Sequence, residues 1–199
     1  MASPIEFYFD FSSPYGYFAA EQIDTLAAGH GRDTVWRPIL LGAVFKITGQ
    51  QALITIPLKG DYAARDLARS ARALGLPFRQ PTRFPVATAA ACRAFYGIAD
   101  HDPVAAKTLA LALYRAYFVE DRDISAAAVV TAVAAGFGHD PATIATAIED
   151  PGLKQRLRLE VEAAVERGVF GSPYVIVDGE PFWGADRLGQ VARWLEQPW

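Results

Sequence analysis

The chain of 199 residues predicts an α/β fold in which a long all-helical stretch interrupts a small sheet. Three observations carry this. A β-α-β pattern opens the chain, a β-hairpin followed by a helix closes it, and the stretch between shows helical periodicity only. Ile5, Phe7, Phe9 and Phe11 alternate with Glu6, Tyr8 and Asp10, the period-2 signature of a strand. Ser13 before Pro14 fits an N-cap followed by proline at the first helical position. The helix so begun is expected to run to about His30-Gly31, with Ala19, Ile23, Leu26 and Ala27 on its apolar face. A second strand is predicted over Thr34 to Ile39.

From Leu41 to Gly168 the helical segments are punctuated by Pro57, Gly75-Pro77, Pro85, Pro103, Gly136-Gly138 and Pro151. Leu67, Ala71 and Leu74 share one face, as do Leu153, Leu157, Val161 and Val165. Ile124 to Gly138 is alanine-rich and shorter than the ~18 apolar residues a spanning helix needs, so a buried helix is expected there. Strand character returns at Tyr174 to Val177, Asp178-Gly179 signals a two-residue hairpin turn, and Glu180 to Trp183 returns. Leu188, Val191, Trp194 and Leu195 mark a closing amphipathic helix. The expected division is one discontinuous domain over 1–40 and 169–199, with an inserted helical domain over 41–168.

Composition narrows the function classes. A hydrophobic content of 52% with 21% charged residues describes a folded protein. A net charge of -3 leaves no positive field for phosphate backbones or anionic lipid, so neither nucleic acid nor membrane is an expected partner. The single cysteine, Cys92, excludes an internal disulfide, a C-x-x-C redox pair and a multi-cysteine metal cluster, and it reads as a buried structural thiol. The three histidines show no ligand spacing, so no metal is assigned. The first residues lack a basic and then apolar leader pattern, so a cytoplasmic location is expected.

Ser13 stands where a strand ends and a helix begins, a place where backbone N–H groups and the helix dipole favour an anion. On the local pattern alone a plain helix cap is the favoured reading, because capping serines are far commoner than catalytic ones. If the anion is a thiolate, lowering a thiol pKa of ~8.5 by ~2 units needs about 2.7 kcal/mol. A second feature is Gly168-Val169-Phe170-Gly171-Ser172-Pro173-Tyr174, where proline opens a strand in an edge position or a tight turn, cis or trans.

Four motifs in order carry a resemblance over essentially the whole chain. They are F-D-F-x-S-P-Y at Phe9 to Tyr15, R-P-I-L-L-G-A-x-F-K at Arg37 to Lys46, G-x-F-G-x-P at Gly168 to Pro173, and F-W-G-x-D-R-L at Phe182 to Leu188. Together they resemble the 2-hydroxychromene-2-carboxylate isomerases, relatives of kappa-class glutathione transferases and of DsbA-like proteins. The resemblance implies a thioredoxin-like fold with the helical insertion, glutathione as cofactor, a homodimer, and a role in aromatic catabolism such as naphthalene degradation. It implies that Ser13 is catalytic and holds the glutathione sulfur. Ser172 and Pro173 would present backbone groups to the cysteinyl part like an added strand. Gly184, Ala185, Asp186 and Arg187 would meet the γ-glutamyl end, with Asp186 also able to cap the last helix.

Lys46 would bind the carboxylate of a small aromatic substrate, though a lone lysine otherwise reads as surface. The implied reaction converts 2-hydroxychromene-2-carboxylate to trans-o-hydroxybenzylidenepyruvate by thiolate addition, rotation and elimination. A kappa-class-like transferase or peroxidase, a DsbA-like relative without redox activity, and a non-catalytic binding module stand as alternatives. One departure bears on substrate choice: many members carry F-P-x-N where this chain has Phe84-Pro85-Val86-Ala87. Arg65, Arg69 and Arg72 form a stripe that reads as a solvated helix face.

Overall fold

A computed structural model describes residues 3–199. Met1 and Ala2, at the head of the predicted domain and of the expected leaderless start, lie outside the described residues. Four strands form one mixed sheet in the order β2-β1-β3-β4: β1 (Ile5–Phe9), β2 (Thr34–Pro38), β3 (Tyr174–Val177) and β4 (Glu180–Trp183). β1 runs parallel to β2, with Phe7 opposite Trp36, and antiparallel to β3, with Phe7 opposite Val175. A parallel pair needs a crossover, here α1 (Pro14–Ala20) and α2 (Ile23–Gly29). The β3-β4 hairpin turns at Asp178 and Gly179, both at positive φ (52° and 94°), as a type I′ turn requires.

Two expectations need correction at this end of the chain. The alternation in β1 predicts one buried and one polar face, yet Tyr8 and Asp10 are as buried as Phe7 and Phe9. The strand is central and covered on both sides, and Glu6 and Tyr8 are engaged with one another and with Arg37 and Arg167. The first helix is two short ones. The chain tightens at Glu21 and Gln22, where Gln22 N–H donates to Ala19 O, and the Glu21 carboxylate forks onto Arg115 at 2.7 Å.

Between β2 and β3 the described residues form helices without strands: α3 (Leu41–Thr48), α4 (Lys59–Ala73), α5 (Ala89–Ala99), α6 (Pro103–Phe118), α7 (Ala127–Ala135), α8 (Pro141–Glu149) and α9 (Pro151–Glu166). α10 (Leu188–Glu196) closes the chain. Asp-Pro pairs start three of these helices: Asp102, Asp140 and Asp150 each accept from the N–H three residues on, with proline in the first turn. α6 runs through the core, burying Leu109, Leu113, Tyr114, Tyr117 and Phe118. Its aromatic rings meet Phe9, Phe11 and Tyr17 at centroid distances of 5.4–5.9 Å, contacts that add to area burial.

Leu157 and Val161 face the core as expected, but Leu74 lies beyond the end of α4 and is exposed. The alanine-rich stretch is half-buried rather than buried: α7 turns Val130, Val133 and Ala134 inward and leaves Ala128, Ala132 and Ala135 in solvent. Trp194 is partly covered by Phe182, whereas Trp199 is exposed. Among the described residues no helix is long and apolar enough to cross a membrane.

α1 approaches its neighbours through Gly16, where an added Cβ would lie 2.7 Å from Tyr114 Oη and 2.8 Å from Ser172 Oγ. Both contacts are shorter than van der Waals separation, and both atoms are held by hydrogen bonds. Gly16→Ala is therefore expected to cost about 1–3 kcal/mol, read as a lowered melting temperature and denaturation midpoint; an unchanged midpoint would contradict this packing.

Candidate functional site

Three segments distant in sequence meet where β1 ends. The chain leaves β1 at Asp10, turns through Ser12, and enters α1 with Ser13 as N-cap, whose Oγ accepts from Gly16 N–H at 3.0 Å. The same hydroxyl donates to the carbonyl of Ser172 at 2.9 Å. The Ser172-Pro173 bond is cis, one of the two alternatives left open by the sequence, and Phe84-Pro85 is cis as well. The Pro173 carbonyl accepts from Gly184 N–H at 3.1 Å, which brings the Gly184 to Arg187 segment onto the same turn. Two hydrogen bonds and the Ser172-Pro173 peptide bond between them therefore link Ser13 to Gly184.

Gly171 and Gly184 are required by close approach. A Cβ on Gly171 would sit 2.3 Å from Trp183 Nε1, and Gly184 has φ +114° with the Asp186 carboxylate folded over it. Asp186 lies in a 3₁₀ turn over Ala185–Arg187, is largely exposed, and pairs with Arg187 at 2.9 Å. It does not cap the last helix: Arg187 occupies that position without a side-chain bond, because the 3₁₀ turn intervenes. Lys46 is exposed on α3, five residues after Leu41, or about 7.5 Å along the helix. The stripe Arg65, Arg69 and Arg72 is exposed, although Arg69 reaches Asp66 and Tyr62.

Sequence reasoning passed over Asp10, which is 3% exposed. Its Oδ1 accepts from Ser12 N–H (2.7 Å) and Thr88 Oγ1 (2.9 Å), and its Oδ2 from Leu41 N–H (2.6 Å). Its main-chain N–H donates to Ser172 Oγ (3.0 Å), and its carbonyl accepts from Tyr114 Oη (3.0 Å) and Ser13 N–H (2.9 Å). Burial pushes the carboxyl above its ordinary value, and the three donors pull the other way. A lone acid between two phenylalanines was the available signal.

Two more features were missed. Val86 N–H donates to Ser12 Oγ at 3.1 Å, so the segment with the Ala87 departure borders the site, and Ala87 itself is exposed. Tyr15 donates to Asp66 Oδ2 at 2.6 Å, tying α1 to α4. Burial, and then the hydrogen bond to Asp66, hold the Tyr15 phenol well above its usual range. Asp66 is held below the usual carboxylate range, chiefly by that bond and then by Arg69.

The arrangement can offer a hydroxyl donor and a backbone edge to a ligand with a sulfur and a peptide main chain. Ser13 is 6% exposed, and its proton is already committed to Ser172 O. The helix behind it has seven residues rather than the longer run expected, which weakens the dipole contribution. The burden on a bound anion thus falls on hydrogen bonds. Cys92 is buried with its thiol pushed up by desolvation, away from any redox role. A shallow depression of about 480 Å³ on α7 and α8, lined by residues such as Ala128, Ala132 and Ala145, contains none of the predicted site residues.

These features define a thioredoxin-like scaffold with a serine at the junction of its first strand and first helix. The chain belongs to the DSBA-like thioredoxin domain family, whose model matches residues 4–196. It is 29% identical to 2-hydroxychromene-2-carboxylate isomerase of Sphingobium xenophagum, over 98% of this chain and 99% of the relative. It is 28% identical to glutathione S-transferase kappa 2 of Caenorhabditis elegans, over 98% and 92%. A solved 2-hydroxychromene-2-carboxylate isomerase superposes with a TM-score of 0.88 at 25% identity, covering 97% of this chain and 94% of that one.

The Tyr15 bond is open to a direct check. Tyr15→Phe removes the main cause of the lowered Asp66 value, so the Asp66 titration, followed by carboxyl-carbon NMR, is expected to move up toward the ordinary range. Because a carboxyl depressed in the fold contributes stability that is lost as pH falls through its folded value, the variant is also expected to show a smaller acid-induced loss there. An unmoved titration would contradict the pairing.

Proposed function

We propose that the chain is a glutathione-dependent isomerase acting on 2-hydroxychromene-2-carboxylate or a related aromatic carboxylate, giving trans-o-hydroxybenzylidenepyruvate. The observation that carries this reading is the Ser13 hydroxyl 2.9 Å from the carbonyl before Pro173, one donor beside a peptide-binding edge. The similarity to the isomerase over nearly the full length of both chains supports it.

Ser13, Ser172, Pro173, Gly184, Ala185, Asp186 and Arg187 would hold glutathione. When bound, glutathione would supply a thiolate that adds to the conjugated substrate and leaves after rotation. The rest falls to side chains of this protein. Ser13 redirects its proton from Ser172 O toward the sulfur, and the freed carbonyl accepts a main-chain donor of the ligand, so no buried acceptor is stranded. Asp186 offers charge to the γ-glutamyl ammonium, and its exposure keeps that contribution modest. Lys46 orients the substrate carboxylate and offsets charge as it develops.

Ala87 favours keeping a second reading, a kappa-class-like transferase, because it removes a polar side chain from the segment bordering Ser12. The proposal further takes residues 41–168 as a helical domain inserted between 1–40 and 169–199, and the functional unit as a cytoplasmic homodimer. The chromene assay, with absorbance for conversion and mass analysis for glutathione, separates the readings: an isomerase returns glutathione, a transferase consumes it one for one. Ser13→Ala is expected to lower glutathione-dependent turnover by about 10²-fold; full activity in that variant would overturn the assigned role.

A further inference from the structure

Asp10 is a buried acid without a cation: its interactions are the N–H groups of Ser12 and Leu41 and the hydroxyl of Thr88. The titratable groups that face it, Cys92, Tyr114 and Tyr117, carry no positive charge. An uncompensated buried carboxylate is costly unless its lone pairs are filled. The three donors come from three different parts of the chain. Ser12 belongs to the turn that delivers Ser13; Leu41 is the first residue of α3, which carries Lys46; Thr88 precedes α5 at the end of the segment containing Val86 and Ala87. The peptide groups on either side of Asp10 hold Ser172, Ser13 and Tyr114.

We propose that Asp10 is a positioning residue that sets the Ser12-Ser13 turn, and with it the sulfur-binding hydroxyl, against α3 and the 84–88 segment. This rests on the glutathione reading above. Asp10 touches no reacting atom in this role; it acts through Ser13. The carboxylate is needed as an acceptor on both oxygens. Asparagine keeps the shape but turns an NH₂ group toward one of the donors, so that contact becomes repulsive and a backbone N–H is left unpaired.

The consequence has a sign that separates positioning from charge. If Asp10 mattered only as a nearby negative charge, removing it would favour a bound thiolate. If it positions Ser13, removing it deprives the sulfur of its donor and disfavours the thiolate. The test uses the full-length protein with glutathione as probe, reading affinity by calorimetry and ionisation by the ultraviolet thiolate band across a pH titration.

Asp10→Asn is expected to bind glutathione about tenfold more weakly, a loss of about 1.4 kcal/mol, with the pH midpoint of the thiolate band moved upward. Two further variants keep the charge and delete one donor each. Thr88→Val removes the hydroxyl. Leu41→Pro removes the N–H at the first helical position, where proline is tolerated, after a Leu40 already extended at φ −104°, ψ 100°. Both are expected to shift the midpoint in the same direction by less, and they decide the question if Asp10→Asn does not fold. A wild-type protein that binds no glutathione overturns both the functional reading and this inference. A wild type with a thiolate band, combined with an unmoved or lowered midpoint in Asp10→Asn, or in both donor variants, overturns this inference alone.

Discussion

The arrangement at the end of β1 depends on one buried charge being satisfied. Asp10 sits in the core beside Phe9 and Phe11, and placing a carboxylate there costs several kcal/mol unless donors replace water. All three of its side-chain contacts are donors, the pattern an ionised carboxylate requires. Charge-assisted bonds contribute roughly 1.5–3 kcal/mol each, so three of them offset a penalty of that size. The geometry that satisfies the acid also determines where Ser13 emerges, where α3 starts and where the 84–88 segment ends.

From that point the rest of the site follows by short steps. Ser13 reaches Ser172, Pro173 reaches Gly184, and Gly16 lets α1 come close enough for Ser172 Oγ and Tyr114 Oη to meet the Asp10 peptide. The sequence carries no cysteine pair. Here the sole cysteine is buried and its thiol is driven away from ionisation. A thiol supplied by a ligand suits a surface that has a hydroxyl and a backbone edge and no sulfur of its own.

Much of the fold was legible because its signals are local. The β1 alternation, the Asp-Gly turn at 178–179 and the apolar faces of α9 and α10 each arise from neighbours in sequence. Ser13 and the Ser172-Pro173 turn were legible through motif and cap chemistry. What escaped was long-range. Asp10 looked like part of the polar face of β1 because nothing nearby in sequence reveals that the strand is covered on both faces. The break at Glu21 reflects Arg115, 94 residues away. Tyr15 and Asp66 are 51 residues apart, and no periodicity links them. Leu74 failed for the opposite reason: the periodicity continued while the helix ended, with Gly75 following at positive φ.

A crystal structure of the wild-type protein with glutathione tests the central claim most directly. The account predicts the sulfur within hydrogen-bonding distance of Ser13 Oγ, with the cysteinyl main chain paired to Ser172 and the Asp10 contacts intact. Glutathione bound elsewhere, or its sulfur turned away while Ser13 still bonds Ser172 O, would contradict it.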